Sequence, residues 1–398
     1  MSRIKRLINS YTPVEWTVFG ILASTISWWP FWGYAIYGKA TYCLVIGYLL
    51  VAYLFFHLQN RHRLHSKKAL IVPLVMLLYF FIFQITNEIH FSYVLICLSF
   101  GLALSLDKAE CNNVISLLTN YLSLSVAISL PFFLVHQFIH PLPIYEVMDI
   151  SWWKGGEEVN YENHILFITG PGVMNSFRFY SLFDEPGTLG TLSAFVLWAN
   201  HYNFRDKKCV IILFGAIFTF SLAFFLLSVM GWMVRKKIKV STVALSFLGF
   251  IVFGFVLFYT LQDNEAFQMS IINRFANFEV ATVDSRMGDD MNIAWDSFIR
   301  SANIFFGLGS GAMLKYGSMT SYKSFIMEFG FIGLTILLWA YKKMIPQMNW
   351  LTFFTAVLFL ASFFQRADLF TIRDIFLFSC IVNKFYYESD INNVRIKI

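Results

Sequence analysis

An all-α, polytopic integral membrane protein is the fold class this sequence predicts, and three observations predict it. The 398-residue chain is 58% hydrophobic and only 14% charged, with mean hydropathy +0.61. Apolar runs close to the ~20 residues that cross a bilayer recur along its length. Its basic residues gather largely in short loops between those runs, as the positive-inside bias requires. Length alone would permit roughly two or three soluble domains, but this composition leaves no soluble core. The chain therefore reads as a single transmembrane domain over residues 1–398.

The candidate spans are 14–31, 34–56, 69–86, 90–106, 114–139, 186–201, 209–234, 240–261, 324–341, 349–364 and 369–386. With Arg3, Lys5 and Arg6 on the cytoplasmic side, crossings put the basic 61–68 loop inside, 140–185 outside and 201–208 inside. A single crossing by 209–234 would then strand Arg235, Lys236, Lys237 and Lys239 outside. A reversal within that segment restores the sign of every later loop. Thr219-Phe220-Ser221 is the expected break, since hydroxyl side chains satisfy backbone groups freed by an interrupted helix. The result is about twelve membrane segments, including a broken hairpin, with both termini inside. Two long outer segments follow, about 140–185 and 262–322.

The remaining composition excludes several classes. The net charge of +6 is dispersed, which argues against nucleic-acid binding. Cys43, Cys97, Cys111, Cys209 and Cys380 lie in or beside apolar segments with no CxxC or Cys/His spacing, which argues against a disulfide framework or a metal. The basic N-terminus has no evident cleavage site and reads as an uncleaved anchor. Nucleophile-elbow, HExxH, dinucleotide and P-loop patterns are absent, and no cofactor is expected.

Within this frame six arginines stand out: Arg178, Arg274, Arg286, Arg300, Arg366 and Arg373 fall on or near the outer side, where Lys and Arg are normally depleted. Guanidiniums near the hydrocarbon core need a partner, so an anionic ligand is implied. Arg178 precedes Asp184-Glu185-Pro186-Gly187. Pro186 suits a first helical turn, and Asp184 or Glu185 suits the cap. Two readings stand for this stretch. The acids cap a helix with Arg178 as their ion-pair partner, or Arg178 clamps phosphate while Glu185 acts as acid, base or orienting carboxylate. Asp284-Ser285-Arg286, with Arg274, Asp289, Asp290 and Arg300 nearby, reads either as a solvated loop face or as a second clamp. Arg366 and Arg373 have Asp368 and Asp374 as local ion-pair partners. Met291, Trp295, Phe298, Ala302 and Phe305 share one face of a helix expected to lie on the membrane or pack on the bundle. Gly307 to Gly311 reads as a flexible turn. His136, His140 and His164 lack metal-ligand spacing and read as interfacial histidines.

These residues carry a resemblance. Arg178 to Gly187 resembles the R-x-x-G-x-x-x-E-P signature of bacterial O-antigen polymerases of the Wzy type. Arg286 through Trp295 to Gly307-Leu308-Gly309 resembles their R…W…GLG region, and Glu328-Phe329-Gly330 begins a similar E-x-G-x-x-G helix. Thr219-Phe220-Ser221 is similar to the T-x-S break of that superfamily. Ser181 departs from the pattern by replacing a glycine.

The resemblance implies a metal-independent, inverting GT-C-type glycosyltransferase of the bacterial inner membrane. Such an enzyme polymerises undecaprenyl-pyrophosphate-linked repeat units at the periplasmic face. It implies donor and acceptor glycolipids, membrane lipid and a chain-length regulator as partners. Arg178, Arg286 and Glu185 become the catalytic candidates; Arg178, Arg286, Arg274, Arg300, Tyr180 and Tyr322 become the substrate-binding candidates. The rival readings are an O-antigen ligase and a flippase or transporter of lipid-linked oligosaccharide. A ligase would carry a histidine in the second outer segment, where Met319 or Tyr322 stands instead.

Overall fold

The computed structural model describes residues 11–25, 39–61, 67–83, 91–149, 160–170, 177–236, 259, 289–312, 322–365 and 368–396. In chain order the helices are α1 (Pro13–Thr25), α2 (Lys39–Arg61), α3 (Lys68–Leu77, continuing as a π-helical turn Leu78–Phe83), α4 (Phe91–Leu104) and α5 (Lys108–Phe138). Strands β1 (Glu146–Asp149), β2 (Asn160–Asn163) and β3 (Ile168–Thr169) follow. Then come α6 (Pro186–Ala199), α7 (Lys207–Phe218), α8 (Leu222–Lys236), α9 (Asp289–Phe298), α10 (Tyr322–Met344), α11 (Trp350–Gln365) and α12 (Ile372–Ile396). The expected span 240–261 lies outside the described residues, apart from Tyr259.

Helix starts follow local chemistry. Thr12 and Glu15 form a reciprocal capping box, each side chain accepting the other's backbone N–H (3.2 and 2.7 Å). Asn349 and Thr352 do the same ahead of α11, and Asp206 caps α7 by accepting from Lys208 N. Among the described residues, three helices are long and apolar enough to cross a membrane, spanning Ala40–Gln59, Lys108–Phe138 and Tyr322–Met344; several shorter apolar helices accompany them. Leu44, Tyr48, Val51 and Phe55 repeat at helical spacing along α2 and are all exposed, a stripe suited to hydrocarbon rather than water.

Two compact units emerge from the contacts: residues 1–27, 37–118 and 286–398 form one, and 28–36 with 119–285 form the other. In the first, α3 packs along α4, and α1 packs on α2 and α12. α10 is interrupted at Gly330, whose φ of 68° and ψ of −179° only glycine adopts without strain. The segment 305–309 lies along that break: Leu308 N donates to Met327 O, Gly309 N to Glu328 O and Ile332 N to Phe305 O. Tyr79 Oη donates to Phe329 O at 2.8 Å. Gly307 to Gly311, expected as a flexible turn, is thus bonded to the interrupted helix. The helical face expected from Met291 to Phe305 also needs correction. α9 ends at Phe298, and Ala302–Ile304 is a separate 3-10 turn, leaving Phe305 exposed. Phe298 packs with Ile326 and Met327, the bundle-packing alternative.

The described residues are mostly helical, as expected; in the second unit a small three-stranded antiparallel sheet, β1-β2-β3, adds to the helices inside the first long connection. Its strands are two to four residues long. They are too short for an alternating pattern to register in the sequence, and their stability comes from cross-strand pairing.

The 209–234 segment does break where expected. α7 ends at Phe218, Thr219-Phe220-Ser221 intervenes with Phe220 at φ 47°, and α8 begins at Leu222. Thr219 Oγ1 donates to Ala216 O and accepts from Ser221 N, as hydroxyls at a helix break should. Two close approaches fix the direction of α8. A Cβ on Gly190, one turn into α6, would meet Ser221 Cβ at 2.6 Å, and one on Gly231 would collide with Tyr202 Oη, just past the end of α6. α8 therefore runs back alongside α6, while α7 runs against it, since Phe218 O accepts from Phe179 N near the start of α6. The reversal returns Arg235 and Lys236 to the end that carries Arg205, Lys207 and Lys208. Each half, about 18 and 22 Å long at 1.5 Å per residue, is short of the ~30 Å hydrocarbon core.

Two outcomes test this architecture. With the native cysteines replaced by serine, a short bis-thiol reagent should join Tyr202→Cys to Gly231→Cys, read by peptide mass spectrometry. A continuous α7–α8 helix would carry position 231 about 20 Å past the break and give no product. Gly330→Ala should lower thermal stability by more than about 3 kcal/mol, since its Cβ would run into Phe305 O as well as requiring a forbidden backbone angle.

Candidate functional site

The residues between β3 and α6 carry the sharpest chemistry. Three backbone bonds fold them: Ile168 N to Ser181 O, Phe179 N to Phe218 O and Phe183 N to Tyr180 O. Phe179 and Phe183 are fully buried, Phe179 against Phe133 with ring centroids 5.2 Å apart. Phe177 meets Phe138 and Phe220. Aromatic burial on both sides thus holds the polar residues between them in place.

Arg178 is 8% exposed, and its Nε–H donates to Thr219 O at 3.0 Å. That carbonyl closes α7, where helical carbonyls lack an internal partner and the dipole is negative. One edge of the guanidinium therefore secures the break in the hairpin. Neither earlier reading of Arg178 included this bond, because a carbonyl 41 residues away leaves no mark in the local pattern. Tyr180, 2% exposed, packs edge-on to Tyr161 of β2. Burial chiefly pushes the pKa of its phenol far above the ordinary tyrosine value; Tyr161, Glu185 and Asp184 add to the rise and the positive charge of Arg178 opposes it. Tyr180 therefore stays a neutral hydrogen-bonding group, and Arg178, Asp184 and Glu185 all act on it electrostatically.

Glu185 occupies the N-cap position of α6 with Pro186 as the first helical residue, as the sequence implies. Its side chain makes no capping hydrogen bond, so the carboxylate is half-buried without serving as the cap. Every residue of α6 is buried. Ser181 stands at φ 52°, the left-handed region that favours glycine. Its hydroxyl compensates, pairing with Ser125 at 2.8 Å and Ser129 at 3.1 Å on α5.

Arg274 and Arg286 lie outside the described residues, as do Arg366, Met319 and the Trp152-Trp153 pair. Arg300 is exposed in the turn after α9, and Tyr322 opens α10 with its ring against Trp295 and Phe364; both belong to the other unit. Arg373 pairs with Asp374 at 2.9 Å, the expected local ion pair. His164 donates from Nδ1 to Pro143 O and stacks on Phe167, and His136 accepts from Leu142 N, so both serve the sheet and its approach. All five cysteines are free thiols. Glu328 was missed as more than a motif letter: its Oε1 accepts from Tyr93 Oη at 2.8 Å and from Gly311 N at 2.5 Å, latching the glycine loop to α10.

No family model, no curated protein and no solved structure matches this chain.

Arg178→Ala should leave the Thr219 carbonyl buried without that donor and lower stability by roughly 1–3 kcal/mol, read as a melting shift in detergent. Ser181→Gly should be close to neutral. Ser181→Val, β-branched at a left-handed angle and unable to bond Ser125 or Ser129, should cost roughly 1–3 kcal/mol or more in the same measurement.

Proposed function

We propose that this chain is a multi-pass inner-membrane glycosyltransferase that polymerises undecaprenyl-pyrophosphate-linked oligosaccharide repeat units at the periplasmic face. The observation that carries the reading is Arg178, a buried guanidinium tied at a helix break and grouped with Tyr180, Asp184 and Glu185 at the start of α6. A cation, a neutral phenol, carboxylates and a helix N-terminus together suit an anionic leaving group beside a hydroxyl nucleophile. The ordered resemblance of the Arg178–Gly187, Thr219–Ser221, Arg286–Gly309 and Glu328–Gly333 segments supports the same class.

In the proposed reaction the acceptor hydroxyl of one lipid-linked repeat unit attacks the anomeric carbon of the donor glycan. The new C–O bond forms as the bond from that carbon to the pyrophosphate oxygen breaks, with inversion. Glu185 takes the hydroxyl proton or orients the acceptor. The negative charge gathering on undecaprenyl pyrophosphate is met by Arg178 and Arg286, whose planar forks donate to phosphate at any working pH. Tyr180 supplies a neutral donor; substrate contacts by Arg274, Arg300 and Tyr322 rest on the resemblance alone.

Glycan ladders test this directly. A deletion strain should lose long-chain glycan while single repeat units still reach the acceptor, and Arg178→Ala or Arg286→Ala should reproduce that pattern. Arg178→Lys and Arg286→Lys should fall at least tenfold in long-chain product, since lysine cannot bind two phosphate oxygens in one plane. Full activity in both lysine variants would refute the clamp. Loss of all glycan, single units included, would instead identify a ligase or flippase.

A further inference from the structure

The first unit contains an open cavity of about 250 Å³ lined by α10, α11, α12 and the 3-10 turn Asp368–Phe370. Its lining is apolar, with Leu338, Tyr341, Phe353, Leu360 and Phe378 among the walls and Lys342 the single charged one among the described residues. Tyr341 does not offer its hydroxyl to the space, because that group donates to Leu369 O at 2.7 Å. Leu338, Met348 and Phe353 at the rim are 40%, 56% and 47% exposed, so the cavity opens onto an apolar exterior. Lys342 and Lys343 form the basic last turn of α10, with Lys343 Nζ above the Trp339 ring and exposed Trp350 at the start of α11. Lysines and tryptophans together at the end of an apolar helix mark the level of lipid headgroups.

We propose that this cavity binds one acyl chain of an anionic phospholipid, with the lipid phosphate held by Lys342. The apolar walls disfavour a polar guest, and the volume accommodates part of a hydrocarbon chain. The single lysine at the mouth, at headgroup depth, selects for negative charge. The inference requires α10 and α11 to lie in a bilayer but does not require glycosyl transfer.

Native mass spectrometry of the full-length protein, titrated with phosphatidylglycerol and with phosphatidylcholine of the same chains, reads the site. Wild type should retain phosphatidylglycerol about fivefold more than phosphatidylcholine, the preference one membrane-surface lysine confers. Lys342→Glu should abolish the preference, Lys342→Arg should keep it, and Lys343→Glu should weaken it less than Lys342→Glu. Ala356→Trp, which fills the cavity, should lower retention of both lipids. Equal retention of the two lipids by wild type, equal effects of Lys342→Glu and Lys343→Glu, or no effect of Ala356→Trp would each overturn the proposal. So would a lipid-free dimer mass, since a second copy would then cover the opening. Lipid loss with an unchanged glycan ladder would leave the proposed polymerase intact, which separates the two readings.

Discussion

A helix interrupted among apolar side chains must have its freed backbone groups satisfied by something else, and both units depend on that constraint. The desolvation penalty of an unpaired buried amide or carbonyl is large enough to forbid the break unless a partner is supplied. At Thr219 the partners are Arg178 Nε for one carbonyl and Phe179 N for the one before it. At Gly330 they are the backbone of 305–309 and the Tyr79 hydroxyl. In each case an irregular segment that would itself carry unpaired groups is bonded to the irregular part of a helix. Two costly local structures cancel each other's deficit.

This arrangement changes what the arginine at 178 means. A guanidinium near apolar surroundings needs a compensating partner, and the sequence alone offered either a neighbouring carboxylate or a ligand. The structure adds a third partner, a main-chain carbonyl at the negative end of a short helix. Structural and ligand-binding roles are compatible in arginine because its donors point along different edges of one plane. Lysine, with its three donors on one nitrogen, has no such separation.

Several features were legible from the residues. The hydroxyl-flanked break at 219–221 followed from the sign of the charges after it, and Glu185-Pro186 announced a helix start by the steric preference of proline. The Arg373–Asp374 pair was visible as adjacent opposite charges. Others were hidden for physical reasons. The sheet at 146–169 uses strands too short to carry a period and depends on cross-strand partners. The interruption at Gly330 is invisible because glycine alone inside an apolar run signals tolerance as readily as a break. The end of α9 at Phe298 was overrun because apolar spacing continued through residues that follow a different turn. Long-range partners such as Tyr79 with Phe329, 250 residues apart, have no local trace at all.

Both breaks share an order along the chain. Residues 178 and 179 precede 218 and 219, and Tyr79 and the 305–309 segment precede 327–332. Synthesis runs from the N-terminus, so each interrupted helix leaves the ribosome after the groups that will bond to it already exist. Neither break has to await a later portion of the chain before its polar backbone is covered. The fold can thus be assembled stepwise during membrane insertion, and a circular permutation that placed α7–α8 ahead of Arg178 would reverse that sequence of events while leaving the final contacts unchanged.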